Sequence, residues 1–320
     1  MGMFRVKVSE ILEETDHIKS FKLVRADGKG FDPYLAGAHI DIVGPTNVVR
    51  QYSLCCPPYD LDAYLVAVKR ETESRGGSAA LHDQLDIGSE LEVSAPRNLM
   101  QVAETGDRHV LVAAGIGVTP MISMAYQLER EGRSFELHYF ARSRELAAFT
   151  ELLEERCGFA EKVRFHFGIP RDEQPAVLQE ILTGLTGGSH VYTCGPEGFM
   201  ERVLFLAGPV VGEENVHIEH FQAGELADTS GDTGFEVELD SGEVFEIPAD
   251  RSIVEVLQEN GVPVDTSCKE GICGTCVMGV LEGEPEHRDN CLSASEKRAN
   301  DQIATCVSRA RSARLILEPF

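Results

Sequence analysis

Ser267-Cys268-Lys269-Glu270-Gly271-Ile272-Cys273-Gly274-Thr275-Cys276 is the stretch that decides how the chain is read. Its cysteines are spaced C-x4-C-x2-C, and Cys306 follows after a long gap. That is the plant-type [2Fe–2S] spacing. Gly271 and Gly274 can take positive φ and turn backbone N–H groups toward cluster sulfurs. Such hydrogen bonds tune a reduction potential. The competing use of four cysteines is a zinc site, which usually pairs one C-x2-C with another. No second C-x2-C exists here. An iron–sulfur centre moves electrons one at a time, so the residues before it are read as the source of those electrons.

Composition frames that reading. A chain of 320 residues has room for two or three domains, and 42% hydrophobic content is ordinary for a globular protein. No apolar run approaches a membrane span. Met1-Gly2-Met3-Phe4-Arg5-Val6-Lys7 enters a strand-like alternation without a signal-peptide core. Gly2 opens no myristoylation motif, because Val6 stands where that motif needs Ser or Thr. The expectation is a cytoplasmic protein without membrane attachment. In a reducing compartment, nine cysteines argue for ligands and buried thiols, not disulfides. A formal net charge of −24 argues against nucleic acid as a partner, since phosphate contacts need Lys and Arg. The same charge keeps the chain soluble or steers it toward a basic protein surface.

Three patterns follow one another. Residues 4–11, 17–24, 39–43, 50–55, 63–70 and 91–93 alternate or are β-branched, with breakers at Gly44-Pro45 and Pro57-Pro58. They predict an antiparallel β-barrel over residues 1–105, with a short helix near 78–84. From Gly106, apolar strand runs alternate with helical stretches: strands near 108–114, 135–140, 163–167, 190–194 and 217–221, helices near 120–131, 144–156, 176–183 and 197–206. That is an α/β parallel sheet over 106–222. Residues 223–233 read as an acidic, aperiodic linker. The last segment, 234–320, opens with a hairpin around Asp240-Ser241-Gly242 and a helix over 253–259 capped by Ser252.

Arg50-Gln51-Tyr52-Ser53 lies on one of the barrel strands, and alternation puts Arg50 and Tyr52 on the same side. Here the chain resembles the ferredoxin–NADP reductase superfamily, whose flavin site uses Arg-x-Tyr-Ser. The resemblance implies that Tyr52 lies along the isoalloxazine, that Arg50 grips phosphate and that Ser53 hydrogen-bonds the ring. Read alone, the tetrapeptide is an ordinary edge strand. Arg75-Gly76-Gly77-Ser78 opens a helix, where glycines admit a phosphate and the helix N-terminus favours an anion; in the superfamily this element also binds the flavin phosphate. Gly115-Ile116-Gly117-Val118-Thr119-Pro120 joins a strand to a helix, and its glycines suit a pyrophosphate there. Pro120 replaces the third glycine of G-x-G-x-x-G, yet the run is similar to the superfamily's G-x-G-x-T-P nicotinamide nucleotide loop. Cys194-Gly195-Pro196 resembles the Cys-Gly-Pro motif beside the nicotinamide, whereas a cysteine there is otherwise a core thiol. Arg142-Ser143-Arg144 lies where the family binds the adenosine ribose or its phosphate; without the glycine loop it is a solvated turn.

The order of barrel, nucleotide domain and C-terminal ferredoxin domain resembles the phthalate dioxygenase reductase family, which includes vanillate demethylase reductases. The resemblance spans essentially the whole chain. It implies FMN in place of FAD, NADH as donor, a β-grasp ferredoxin domain, and a terminal Rieske-type oxygenase as partner. It also implies that Phe221 covers the flavin ring; its other reading is core packing. On this view electrons pass from NADH via FMN to the cluster, and on to a mono- or dioxygenase or demethylase. No acid–base dyad is required, so no catalytic side chain is assigned. The alternatives are an FAD-dependent NAD(P)H reductase of another multicomponent oxygenase, and a non-catalytic flavin- or zinc-binding module. Arg142 and Arg144 favour a 2′-phosphate, against the NADH that the resemblance implies. Cys291 stands where relatives generally lack cysteine; Cys55, Cys56 and Cys157 carry no assignment. Glu270, Glu282, Glu284 and Glu286 around the cluster loop offer an acidic docking face.

Overall fold

A computed structural model of the chain describes residues 2–71, 76–222 and 229–319. They form two compact units, Met1–Glu219 and His220–Phe320.

The first unit begins with six strands: β1 (Met3–Thr15), β2 (Ile18–Arg25), β3 (His39–Val43), β4 (Val49–Ser53), β5 (Tyr64–Lys69) and, after helix α1 (Gly77–Gln84), β6 (Glu90–Ser94). Their order is β4-β3-β6-β1-β2-β5. Every neighbouring pair is antiparallel. A bridge from Leu54 to Val66 joins the two edges and closes the barrel. Alternation builds its interior: Val6, Val8, Phe21, Leu23, Ile40, Ile42, Val66, Val68 and Val93 are all buried in one cluster. A bulge between Val8 and Glu10 lets the long β1 bend while pairing with both β6 and β2.

Five parallel strands follow. They are β7 (Arg108–Ala114), β8 (Phe135–Ala141), β9 (Val163–Phe167), β10 (Ser189–Cys194) and β11 (Val216–Glu219), in the order β11-β10-β7-β8-β9. Helices α2 (Val118–Arg130), α3 (Gln174–Ile181) and α4 (Glu197–Val211) make the crossovers. Parallel pairing puts all the C-terminal strand ends on one edge, where such sheets bind ligands. Two expectations shift here. The helix predicted over 144–156 is broken into a short turn at Arg144–Leu146 and a π-helical segment at Leu152–Arg156. Between them Phe149 adopts φ of 62°, and its N–H donates to Glu14 Oε2 at 2.9 Å. A tertiary bond from β1 thus overrides local helix propensity. Conversely α4 runs past residue 206 through Pro209, because Ala207, Gly208 and Val211 are buried.

The second unit holds β12 (Phe235–Leu239), β13 (Val244–Ile247), helix α5 (Ile253–Glu259), β14 (Val277–Glu282), β15 (Pro285–Glu286), helix α6 (Ala294–Ala299), β16 (Gln302–Ala304), β17 (Arg309–Ala310) and β18 (Arg314–Glu318). The main sheet is mixed, β13-β12-β18-β14-β16, with β12 and β18 parallel. Helix α5 buries Ile253, Val256 and Leu257 in the same core as this sheet. This is the expected β-grasp. Ser252 and Glu255 form a capping box on α5, and Ser293 and Glu296 do the same on α6. Asp232, in the stretch read as linker, is gripped by both terminal nitrogens of Arg288 at 2.9 and 2.6 Å; residues 223–228 of that stretch lie outside the described residues. Among the described residues no helix is long and apolar enough to cross a membrane.

Histidines on the parallel sheet give the first unit a pH signature. His190 stacks with His109 and with His217, and His138 stacks with His166. Burial, with Arg133 reinforcing it at His109 and a neighbouring histidine at His166 and His217, pushes these three down to about 4. Burial also lowers His138 and His190. In the unfolded chain these rings protonate near about 6.5. Their contribution to stability is therefore whole above that pH and is lost as pH falls toward 4. The melting temperature should drop steeply between about pH 6.5 and 4, and less steeply in His217→Gln. A melting temperature flat across that window in the parent protein would contradict this.

Candidate functional site

Strand β4 carries the first motif at the barrel's edge. Tyr52 packs half-buried against the barrel core, and burial pushes its phenol up. Arg50 donates from Nη1 to the Val49 carbonyl at 2.7 Å. The second motif lies directly beside it: a Cβ on Gly77 would stand 3.2 Å from Val48 Cγ1 and 3.4 Å from Arg50 Cγ. Gly76 adopts φ of 86°, and no side chain caps α1. The stem of Arg50 therefore lies against the helix N-terminus, and an arginine beside an uncapped helix start is a donor set that fits a terminal phosphate. Ser78 is already engaged, its hydroxyl accepting from the Glu71 N–H at 3.1 Å. Arg75 lies outside the described residues.

The nucleotide motifs meet at the C-terminal edge of the parallel sheet. Residues Gly115–Gly117 form a single turn between β7 and α2, and no side chain caps α2. Thr119 donates from Oγ1 to the Ile116 carbonyl at 3.0 Å. Pro120 sits in the first turn, where its missing N–H costs nothing. The two glycines serve different needs. Gly115 takes φ of 58° with open space around it. Gly117 is pressed on the other motif: a Cβ there would stand 2.2 Å from the Cys194 carbonyl oxygen and 2.8 Å from the Gly195 nitrogen. A Cβ on Gly195 would in turn stand 2.8 Å from Ala114 Cβ. The two loops thus touch through backbone, and only glycine permits it. Cys194 is fully buried; burial and then Glu219 push its thiol well up, so it stays protonated. Pro196 leads into α4, which no side chain caps.

Two residues that the sequence reading passed over complete this place. Glu219, the last residue of β11, is the register partner of Cys194 and is 6% exposed. Ser53 donates from Oγ to its Oε2 at 3.4 Å. His39 Nδ1 stands 3.6 Å from its Oε1, and neither ring nitrogen of this buried histidine makes a hydrogen bond. A hydroxyl and an imidazole from the barrel thereby face a carboxylate and a thiol from the sheet in a nearly dry setting. Such a group can hold or accept a proton. The available signal was a lone carboxylate ending an apolar strand, which buries only with partners. Phe221, two residues on, belongs to the second unit. Arg142 is exposed and Ser143 half-buried after β8, while Arg144 is forked onto Glu154.

In the second unit, Cys268, Cys273 and Cys276 are buried and Cys306 partly so, all as free thiols. Cys268 lies beside Cys273 and Cys276 beside Cys306, each near enough to shift the other's thiol. The neighbouring Cys268 lowers the Cys273 thiol, and the neighbouring Cys306 lowers Cys276. Among the described residues, no three His, Cys, Asp or Glu side chains converge on one metal-ion position. The C-x4-C-x2-C spacing with a distant fourth cysteine suits two irons with two thiolates each, whereas a zinc site usually pairs one C-x2-C with another. Lys269, Gly271 and Gly274 all take left-handed φ, wrapping the loop about the sulfurs. The Glu270 N–H donates to Cys268 Sγ at 3.3 Å. A Cβ on Gly271 would stand 2.7 Å from Val307 Cγ2 and 3.1 Å from Asp289 Cα, and the Asn290 N–H donates to the Gly271 carbonyl at 2.8 Å. Cys291 is tied to Asp289 Oδ2 at 3.4 Å, and burial pushes its thiol up. Cys55, Cys56 and Cys157 are buried thiols, likewise pushed up by burial. Of the acidic residues near the loop, Glu284 pairs with Arg311 and Glu286 with Arg288, which thins the expected acidic face.

Residues 237–311 match the family model of the 2Fe-2S iron-sulfur cluster binding domain. The chain is 43% identical over 318 residues to a vanillate O-demethylase oxidoreductase of Pseudomonas sp. (strain HR199 / DSM 7063), covering 99% of this chain and 100% of that protein. Phthalate dioxygenase reductase, described as a modular structure for electron transfer from pyridine nucleotides to [2Fe–2S], is similar with a TM-score of 0.72 and 38% identity, over 99% of this chain and 98% of that one. An intact type IV self-sufficient cytochrome P450 monooxygenase is similar with a TM-score of 0.86 and 37% identity. There the match covers 98% of this chain but 41% of the other.

Proposed function

Because the chain belongs to the reductase family that includes the vanillate O-demethylase oxidoreductases and phthalate dioxygenase reductase, we propose that it is the reductase component of a Rieske-type mono- or dioxygenase or demethylase, drawing electrons from NADH through FMN and a [2Fe–2S] cluster. The observation that carries this reading is the placing of Cys268, Cys273, Cys276 and Cys306 at plant-type spacing within the stretch that matches the 2Fe-2S domain, downstream of a barrel and a parallel sheet that meet at Ser53, Glu219 and Cys194. Its domains are the barrel over 1–105, the nucleotide sheet over 106–222, the linker over 223–233 and the ferredoxin domain over 234–320, acting in the cytoplasm.

When bound, the flavin and the cluster together turn the two electrons of a hydride into single-electron transfers. The chain's task is placement. Arg50, Arg75 and the N-terminus of α1 at Gly76-Gly77-Ser78 hold the flavin phosphate, and Tyr52 walls its ring. The Gly115–Gly117 turn with Thr119 and Pro120 presents the N-terminus of α2 to the nucleotide pyrophosphate. Cys194-Gly195-Pro196 backs the nicotinamide, and Arg142 and Ser143 meet the adenosine ribose. Ser53, Glu219 and His39 supply a buried proton acceptor where the two cofactor motifs meet. The four cysteines hold two irons.

Cofactor identity tests the proposal. Flavin released by heat should run with FMN on chromatography, and the purified chain should carry about two irons. Stoichiometric FAD would overturn the flavin assignment. One zinc in place of iron would overturn the function.

A further inference from the structure

Resting on that reading of the nucleotide site, we infer that Glu154 makes the site selective for NADH by occupying Arg144, the cation that would otherwise receive the 2′-phosphate of NADPH. In open α/β sheets the strand after the glycine turn ends at the adenosine ribose, where an acid reads the 2′-hydroxyl or an arginine the 2′-phosphate. Here that strand is β8, which pairs with β7 through Ala114 and Phe140 just before the Gly115–Gly117 turn. It ends at Ala141 and delivers Arg142-Ser143-Arg144. Two arginines at that point look made for a 2′-phosphate.

The side chains say otherwise. Arg144 Nη1 donates to Glu154 Oε1 and Nη2 to Glu154 Oε2, so both terminal nitrogens are engaged by one carboxylate. That bidentate fork is the same one a phosphate would need. Arg144 itself holds the Glu154 carboxyl below its usual range, so it stays ionised at neutral pH. Glu145 and Glu155 face the same guanidinium. An incoming 2′-phosphate therefore meets three carboxylates around a neutralised Arg144, with the exposed Arg142 alone to offset them, whereas a 2′-hydroxyl carries no charge to repel.

Glu154 reaches Arg144 because the helix expected over 144–156 is broken. The break at Phe149, fixed by Glu14, starts a new segment at Leu152–Arg156 that turns Glu154 back toward Arg144. Sequence spacing alone would have put the two ten positions apart on one helix, and side chains ten apart do not face as neighbours.

The test compares the full-length parent with Glu154→Ala, Glu154→Gln and the double variant Arg144→Ala with Glu154→Ala. Both side chains are partly exposed, at 53% and 28%, so folding should tolerate all three changes. Two quantities are read: kcat/KM for NADPH and NADH with ferricyanide, and calorimetric affinity for 2′-phospho-AMP and AMP. Glu154→Ala and Glu154→Gln should raise kcat/KM for NADPH about tenfold, as one charge-assisted contact is gained, and should tighten 2′-phospho-AMP in parallel. NADH and AMP should stay within about twofold, and the double variant should lose the gain. An unchanged NADPH-to-NADH ratio with unchanged 2′-phospho-AMP affinity in both single variants would overturn the inference. So would a gain that survives removal of Arg144, or a parent that already prefers NADPH. A parent that binds neither AMP nor NADH would instead overturn the nucleotide-site reading beneath it.

Discussion

Replacing Cys276 with serine should remove the chain's iron–sulfur absorption and its NADH-driven cytochrome c reduction, and leave NADH-driven ferricyanide reduction close to parent. Cys276 is 3% exposed and lies beside Cys306. Its carbonyl accepts from Thr305 Oγ1 at 2.8 Å, so its place in the loop is fixed from both sides. A serine oxygen there is a harder, poorer iron ligand than a thiolate. Cys291 is a poor substitute, because it is tied to Asp289 and its thiol is pushed up. All four proposed cluster cysteines lie in the second unit, whereas the flavin and nucleotide motifs lie in the first. The first half of the electron path should therefore survive, as it should when the chain is cut after Gln222. Retained cytochrome c reduction in Cys276→Ser would mean that electrons leave by a route other than the cluster.

The second large effect is at Gly117. Alanine there puts a Cβ 2.2 Å from the carbonyl oxygen of Cys194. Neither side can yield easily, because Cys194 and Ala113 are paired on adjacent central strands. Overpacking typically costs about 1–3 kcal/mol, and backbone contacts this close belong at or above the upper end. At about 2–4 °C per kcal/mol for a unit of this size, the first transition should fall by several degrees. NADH-driven ferricyanide reduction should fall with it, since the α2 N-terminus is displaced. Gly115→Ala is the control. It meets no neighbour and pays only for its left-handed φ, about 1–2 kcal/mol. Equal losses in the two variants would show that the contact between the loops does not matter.

What the sequence disclosed follows the range over which each signal acts. The 2Fe-2S domain was legible because three of its cysteines fall within nine residues, Cys268 to Cys276, at a spacing that carries the chemistry. Barrel and parallel sheet were legible because alternation and the strand–helix rhythm are local patterns. Glu219 and His39 were not, because their meaning comes from each other and from Ser53, 166 residues away from Glu219. Glu154 stayed hidden because its approach to Arg144 depends on a helix broken from outside, by Glu14. Gly117 was legible as a turn glycine, while the demand actually placed on it comes from Cys194 on another strand. The short helix α6 lies between two brief strands, too short for periodicity to announce; its Ser293 and Glu296 capping box was the only local signal.

One measurement bears most directly on the proposal that this chain divides a hydride's electron pair and releases it through the cluster. Under anaerobic conditions NADH is added stepwise to the intact protein while the visible spectrum and the low-temperature EPR spectrum are recorded. The account predicts that the flavin band bleaches and that a reduced [2Fe–2S] signal grows to about one spin per chain, with no such signal in Cys276→Ser. A flavin that bleaches fully while no cluster signal appears in the parent protein would contradict it.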